Sequence, residues 1–117
     1  MSLLIKIENA NLGTPEVSKA TPERLVEGDP TYRTWPLDEA RGGEVNTGIW
    51  EATPGAHRAI KGELFEFCHI LEGVAELTEE GKEPVIVRKG DSFLMKPGFK
   101  GVWKTIETVR KIYVTVG

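Results

Sequence analysis

Cysteine and long apolar runs are scarce in this chain of 117 residues. Cys68 is the single cysteine, and one thiol cannot form an internal disulfide, so we expect a protein of the reducing cytoplasm. Every apolar run is far shorter than the roughly 20 residues of a membrane-spanning helix. Residues 1–10 lack the basic start and long apolar stretch of a signal peptide. The sequence therefore predicts a cytoplasmic protein with no membrane partner.

Positive charge is also in short supply, with 15 Lys and Arg residues against 18 Asp and Glu and a net charge of −3. Binding of nucleic acid needs a basic surface that neutralises phosphates, so we expect no nucleic-acid partner. Hydrophobic residues make up 39% of the chain and charged residues 28%, as in an ordinary globular protein. Because a chain of this length buries about two-thirds of its unfolded surface, we expect one domain with its own core.

The chain divides into two zones of different composition. Residues 1–46 are rich in proline, glycine and charge, and carry no apolar stripe at helical spacing. We interpret them as an N-terminal arm with one edge strand at residues 31–35. Residues 47–117 are predicted to form the core of the same domain. There, short apolar runs alternate with turn residues every 8 to 12 positions, which is typical of an all-β sandwich or barrel. The predicted strands are residues 48–53, 64–71, 74–78, 84–88, 92–95, 101–105 and 110–116.

Reactive side chains are concentrated in residues 63–73, where Glu66, Cys68 and His69 lie among apolar residues. The flanking glycines and aromatic residues favour a strand, and on a strand Glu66 and His69 point to opposite faces. Glu66 then shares its face with Cys68 and with aliphatic side chains. A carboxyl group in such surroundings must be paired, bound to a ligand or protonated. We therefore regard Glu66 as the leading candidate for a functional residue. A small buried hydrophobic role is the expectation for Cys68, and a hydrogen-bonded surface role for His69.

Several glycine, tryptophan and proline landmarks resemble the two motifs of the cupin superfamily. They include Gly48-Ile49-Trp50-Glu51, Glu66 with Gly73 seven positions later, Gly90-Asp91, Pro97-Gly98 and Gly101-x-Trp103. More closely, residues 28–117 are similar to a small single-domain family related to the cupin domain of (S)-ureidoglycine aminohydrolase and to the ethanolamine-utilisation cupins. The resemblance implies an all-β double-stranded β-helix, that is, an RmlC-like jelly roll or cupin barrel, which is usually a homodimer.

The histidines that would bind a metal in this superfamily are missing. Metal-binding cupins supply three His and one Glu, and the resemblance retains only Glu66. The first two His positions fall either on Ala59 and Lys61 or on Ile60 and Gly62, and the third falls on Gly101. A single carboxylate does not hold a divalent transition metal, which takes three or four protein ligands. We therefore predict no metal and no other cofactor. His57 is a spare imidazole nearby, so a divalent metal is kept as a minor alternative.

Strand alternation predicts a pocket in place of the metal site. Trp103 shares the face of Gly101, and Trp50 should point inward because Glu51 prefers solvent. Glu66, Cys68, Trp50 and Trp103 then converge on an aromatic-walled pocket, although tryptophans at such positions are often plain core. Such a pocket suits a small ligand that carries an amine, a guanidinium group or a ring. Lys111 either pairs with Glu66 or lies on a solvated face of the last strand.

Three functions remain open from the sequence. The first is a cupin that binds a small-molecule ligand or substrate, in which Glu66, with a pKa raised by burial, is the candidate catalytic group for metal-independent proton transfer. The second is a metal-dependent enzyme similar to ureidoglycine aminohydrolase. The third is a non-catalytic structural or sensing homodimer, in which residues 32–35 add to an exposed sheet edge of a second copy.

Overall fold

A computed structural model of the chain describes residues 2–117, and the all-β prediction is confirmed. A single turn of 3-10 helix at Arg41–Gly43 accompanies the strands. No helix in residues 2–117 is long and apolar enough to cross a membrane. The strands are β1 (Glu16–Lys19), β2 (Leu25–Gly28), β3 (Thr31–Ala40), β4 (Val45–Ala52), β5 (Gly55–Ile60), β6 (Phe65–Glu79), β7 (Val85–Arg88), β8 (Ser92–Met95) and β9 (Lys100–Val116).

Two long bent strands, β6 and β9, pair with each other and join two layers of the antiparallel fold. The first half of β6 and the second half of β9 lie with β8, β4, β3 and β1, which we call the front sheet. The other halves of β6 and β9 lie with β7, β5 and β2, which we call the back sheet. The two sheets face each other across the core, as in a jelly roll.

A glycine marks the bend in β6. The sequence predicts two strands, 64–71 and 74–78, whereas the structure has one strand whose pairing with β9 shifts register three times between Ile70 and Ala75. Gly73 lies at this point with φ of +86°, and a Cβ atom there would collide with the carbonyl group of Thr108. Only glycine accepts both conditions without strain. The predicted strands 101–105 and 110–116 are likewise two halves of β9.

The N-terminal zone contains more of the fold than the sequence indicated. We expected one edge strand in the first 46 residues, but β1, β2 and β3 all lie there. The interpretation of residues 31–35 as an edge is wrong, because β3 pairs with β1 on one side and β4 on the other. Residues 31–34 therefore have no free edge to offer to a second copy. The strand β5 was also missed. All residues of β1 and β2 are exposed, and the two strands carry no apolar alternation, which removes the signal on which the prediction depends.

Alternation along β6 places side chains on the faces that the sequence predicts. Glu66, Cys68 and Ile70 point inward and are buried, whereas Phe65, Phe67 and His69 lie on the outer face and are half-buried. Between the sheets lies one cluster of buried residues: Tyr32, Ala52, Cys68, Ile70, Ala75, Leu77, Val87, Met95, Trp103 and Val109.

Part of the N-terminal segment covers the outer face of the front sheet. The indole nitrogen of Trp35 donates a hydrogen bond to the carbonyl oxygen of Gly13 at 3.0 Å. The guanidinium group of Arg110 donates to the side-chain oxygen of Asn9 at 2.9 Å. Trp35 is buried as a result, although it points away from the core between the sheets.

Candidate functional site

Glu66 is the centre of a buried ion cluster on the inner face of the front sheet. Its side chain is 6% exposed, and each carboxylate oxygen accepts a hydrogen bond from a different lysine. The ammonium group of Lys61 lies 2.5 Å from Oε1, and that of Lys111 lies 2.7 Å from Oε2. The thiol of Cys68 also donates to Oε2, at 3.1 Å. Three donors, two of them charged, compensate the buried carboxylate for its lost hydration, so burial does not force it to take up a proton.

Two separate parts of the fold supply the lysines. Lys111 stands on β9, opposite Trp50 of β4 and Ile70 of β6. Of the two placements that the sequence left open for Lys111, the structure shows pairing with Glu66. Lys61 follows the end of β5, where its amide donates to the carbonyl of Phe99 and its own carbonyl accepts from the amide of Leu64. This tight turn directs the chain into β6 and brings Lys61 within reach of Glu66.

The expectation that burial raises the pKa of Glu66 is wrong. Burial alone does raise it, but the charges and hydrogen bonds of Lys111 and Lys61 together outweigh burial and lower the pKa of Glu66 to about 2. The carboxyl group is therefore ionised at neutral pH. It can anchor a ligand or accept a hydrogen bond, but it has no proton to give as a general acid.

Lys111 is held by aromatic faces as well as by Glu66. Its ammonium nitrogen lies 4.6 Å from the ring centre of Trp50 and 4.5 Å from that of Trp103. Burial on its own lowers the pKa of Lys111, but the groups that face it, with Glu66 as the ionised one, outweigh burial and raise the pKa. Lys111 therefore stays protonated, and the tryptophan faces stabilise its charge.

An aromatic wall stands beside the ion cluster. The rings of Trp50 and Trp103 meet edge to face with centres 5.3 Å apart, and Tyr32 stacks on Trp50 at 5.5 Å. His57 joins this wall, with its ring centre 5.1 Å from that of Tyr32 and 6.4 Å from that of Trp103. Burial, together with the charges of Lys111, Lys61 and Arg24, lowers the pKa of His57 to about 4. His57 is therefore neutral at neutral pH.

The ion cluster and the aromatic wall border one cavity of about 240 Å³. The main side chains that line it are Trp50, His57, Lys61, Glu66, Trp103 and Lys111. The hydroxyl-bearing residues Thr34, Tyr113 and Thr115 complete it on the front sheet. Four of the five pocket residues that we expected thus lie around one space.

Cys68, the fifth expected pocket residue, lies directly behind Glu66 and is fully buried. Burial raises the pKa of its thiol to about 12, so it stays protonated and is not a nucleophile. His69 points to the outer face of β6, where its Nδ1 is 2.7 Å from the hydroxyl of Ser92.

Sequence reasoning did not select Lys61 or the hydroxyl side chains, and it treated His57 only as a spare imidazole. A signal for Lys61 was present, since one of the two alignments put a missing histidine at that position. The structure favours this alignment: Ala59 and Lys61 line the cavity, while Ile60 is 41% exposed.

The residues at the metal-ligand positions of a cupin do not fit a divalent metal. Ala59 has no donor atom, and Lys61 presents a positive charge to the one carboxylate that remains. At the third position a Cβ atom on Gly101 would collide with the carbonyl oxygen of Thr78 and approach the ring of Phe99. Within residues 2–117 no three His, Cys, Asp or Glu side chains are grouped closely enough to bind a metal ion. Such an ion needs several anionic or neutral donors.

A larger groove of about 480 Å³ runs between β7 and β8, where the two sheets separate. Its wall is mostly aliphatic and aromatic, with Val87, Phe93 and Met95 at its floor. The charged side chains that reach it belong to exposed residues, among them Glu79 and Lys96. The smaller cavity is lined by three ionisable groups with shifted pKa values, His57, Glu66 and Lys111, so we take it as the candidate site.

Comparison with known proteins agrees with the fold and its landmarks. No curated protein matches the chain. A protein of unknown function from the DUF861 family of Pseudomonas syringae pv. tomato superposes with a TM-score of 0.77 at 25% identity, over 88% of this chain. This chain spans only 43% of the length of that protein.

Two more distant structures share the fold alone. The EutQ protein of Clostridium difficile matches with a TM-score of 0.64 at 18% identity, over 85% of this chain and 79% of its own. A predicted oxalate decarboxylase of Thermotoga maritima matches with a TM-score of 0.70 at 16% identity, over 96% of this chain and 98% of its own. The model of the EutQ-like cupin domain matches residues 39–113, which contain β6, most of β9 and the whole ion cluster. The chain therefore belongs to the EutQ-like cupin domain family.

Proposed function

We propose that this protein binds a small polar metabolite in the cavity between its sheets, without the help of a metal ion. The observation that carries the proposal is the position of the buried ion cluster, which borders an open space. Glu66 and the two lysines supply the polar anchor, and the aromatic side chains that line the cavity supply an apolar wall. Concave sites with a few converging polar groups among aromatic side chains are the usual places for small ligands.

The free energy lost when the charges of the ion cluster are removed from water supports a role in binding. Buried ion pairs are often no more stabilising than well-packed apolar residues of the same size, because the charges lose their hydration. Glu66 and Lys111 have side chains only 6% and 7% exposed, so this loss is large for both. A fold that needed only stability would do as well with aliphatic residues there. Ligand binding gives the charges a reason to be present.

Two alternatives remain from the sequence. The hypothesis of a purely structural homodimer requires internal ion pairs and a closed pocket. The ion pairs are present, but the cavity of about 240 Å³ favours a binding role. The metal-dependent aminohydrolase-like reading needs ligands at positions 59, 61 and 101, and Ala59, Lys61 and Gly101 argue against it. A catalytic role for Glu66 is restricted to an ionised group that accepts protons or orients a substrate.

The test combines elemental analysis with ligand screening by thermal shift. Purified protein should contain far less than one metal atom per chain, and at least one compound of a metabolite panel should raise its melting temperature. The gain should change in Glu66→Gln, because that substitution alters the charge balance of the cavity, and it should stay the same in Glu51→Gln, which changes a glutamate on the outer face of the same sheet. A stoichiometric metal, a panel without any stabilising compound, or an equal gain in Glu66→Gln would contradict the proposal. Mass spectrometry of the incubated compound then separates binding from turnover.

We also propose a homodimer in the cytoplasm. One free, buried thiol and no disulfide supports the location. The outer face of the front sheet supports the dimer, because Leu94 is 56% exposed beside the half-buried Phe67. A second copy seated there would cover both. Light scattering should give twice the chain mass for the natural protein and one chain mass for Leu94→Glu, and a monomeric natural protein would exclude the dimer.

A further inference from the structure

The cavity carries more positive than negative charge. Lys61 and Lys111 face it with ammonium groups, and Glu66 is the one acidic side chain among the lining residues that the structure describes. His57 is the remaining ionisable base on the wall, and its pKa of about 4 leaves it neutral. Two ammonium groups against one carboxylate leave a net charge of +1 in a largely desolvated space. Such a charge attracts an anion more strongly than it would in water.

The ammonium groups of the two lysines differ in how completely other side chains of the protein surround them. Lys111 is enclosed by Glu66 and by the faces of Trp50 and Trp103, and 7% of its side chain is exposed. Lys61 is 15% exposed, and Glu66 is the acceptor that residues 2–117 offer to its ammonium group. An ammonium group has three N–H donors. Lys61 therefore keeps donors for a ligand, whereas Lys111 holds Glu66 in place.

A cationic ligand, one of the classes that the sequence favoured, meets groups that are already occupied. An amine in this cavity would seek the Glu66 carboxylate and the tryptophan faces. Both oxygens of Glu66 already accept from lysines, and the Lys111 ammonium already lies on both indole rings. A second cation would meet the repulsion of two ammonium groups and would have to share a carboxylate that already accepts three hydrogen bonds.

We propose that the ligand is a small organic carboxylate with a flat or apolar remainder. Its carboxylate takes the free donors of Lys61, and its remainder lies against the aromatic side chains that line the cavity, among them His57. Hydroxyl groups of Thr34, Tyr113 and Thr115 offer further donors on the cavity wall. The cavity of about 240 Å³ falls below the range of about 300 to 1,000 Å³ usual for drug-sized ligands, so the molecule is small. This inference rests on the proposed function, because it names the ligand class of the same cavity.

The experiment compares three probes of nearly equal size and different charge: benzoate, benzyl alcohol and benzylamine. Their dissociation constants are measured by NMR chemical-shift titration of the full-length protein. Benzoate should bind at least about tenfold more tightly than either of the others. Lys61→Gln should weaken benzoate by about tenfold or more, Lys61→Arg should restore most of the affinity, and Glu51→Gln should leave it unchanged.

Failure of this inference is distinguishable from failure of the proposed function. Tighter binding of benzylamine or benzyl alcohol than of benzoate would overturn the ligand class and leave a ligand-binding cavity. Equal benzoate affinity in Lys61→Gln would overturn the role of Lys61. If none of the three probes binds, the charge of the compounds that stabilise the protein in the metabolite panel decides: carboxylates support the inference, and cations or neutral compounds overturn it. A panel without any binder removes the proposed function and this inference together.

Discussion

Two glutamates on opposite faces of the front sheet make a natural comparison. Glu66 points inward and is held by two lysines, at 2.5 and 2.7 Å. Glu51 points outward and is held by two arginines: Arg110 donates to it from two nitrogens at 3.0 and 2.9 Å, and Arg33 lies 3.7 Å away. Each carboxylate thus has two cationic partners, one of which is distant in the sequence.

The surroundings of the two glutamates differ. The guanidinium group of Arg110 donates two hydrogen bonds to Glu51 and one to Asn9. Its central carbon lies 4.8 Å from the ring centre of Trp35, over the face of the ring. That arrangement fastens the N-terminal segment onto the sheet. Glu66 has point-charge partners, borders a cavity and lies deeper, at 6% side-chain exposure against 18% for Glu51. Similar pairing chemistry therefore serves structure on the outer face and, we propose, binding on the inner face.

The largest expected difference lies in the loss of each carboxylate. Glu66→Ala leaves Lys111 buried without its partner, and breaking a buried pair in this way costs about 3 to 5 kcal/mol. Glu51→Ala frees arginines that reach solvent, so we expect about 1 kcal/mol. Urea unfolding of both variants measures the two free energies of unfolding. Equal losses would show that the inner and outer clusters are energetically alike, contrary to this comparison.

A smaller difference is expected in how the free energy of unfolding depends on pH, because His57 lies inside the fold. Its pKa is about 4 in the folded chain against 6.5 for an ordinary histidine, so between these values the unfolded chain binds a proton that the folded chain does not. The free energy of unfolding should therefore fall as the pH drops below about 6.5, by roughly 1.4 kcal/mol per pH unit.

The matched measurement is the slope of stability against pH between about 6.5 and 5, a window that lies above the range of ordinary carboxylates. His57→Gln should flatten that slope, whereas Glu51→Gln should keep it. An unchanged slope in His57→Gln would show that the imidazole is not desolvated as the structure indicates.

The smallest expected effects come from two aromatic side chains on opposite faces of β3. The hydroxyl of Tyr32, inside, is buried and has no hydrogen-bond partner in residues 2–117, so Tyr32→Phe should raise stability by up to about 1 kcal/mol. Trp35, outside, donates to Gly13, so Trp35→Phe should lower stability by at least about 1 kcal/mol. Calorimetry of both variants measures the two signs. Destabilisation by Tyr32→Phe would reveal a partner for the hydroxyl group.

Much of the inner face was predictable from local pattern. Alternation along β6 placed Glu66 and Cys68 together, and the polarity of Glu51 turned Trp50 inward. These predictions succeeded because strand alternation is a property of each strand alone. The glycine landmarks also have a local cause: at Gly48, a Cβ atom would collide with the hydroxyl group of Tyr113, a residue of the cavity wall.

The electrostatics of Glu66 were not predictable in the same way. The pKa direction depends on Lys111, which is 45 residues away in sequence, and on a turn that returns Lys61. Sequence alone gives the burial effect, which raises the pKa, but not the partners that reverse it. The exposed strands β1 and β2 escaped prediction for a similar reason, since they are defined by pairing with distant strands rather than by their own apolar pattern.

The most direct test of the inner cluster is an NMR titration of the Glu66 side-chain carboxyl carbon in the full-length protein. The account predicts a pKa of about 2, and a rise of that pKa in Lys61→Gln because one of the two ammonium partners is lost. The control is Glu51→Gln on the outer face, which should leave the pKa of Glu66 unchanged. A Glu66 pKa at or above the ordinary value of 4.5 would contradict the claim that two lysines hold this carboxylate ionised inside the fold.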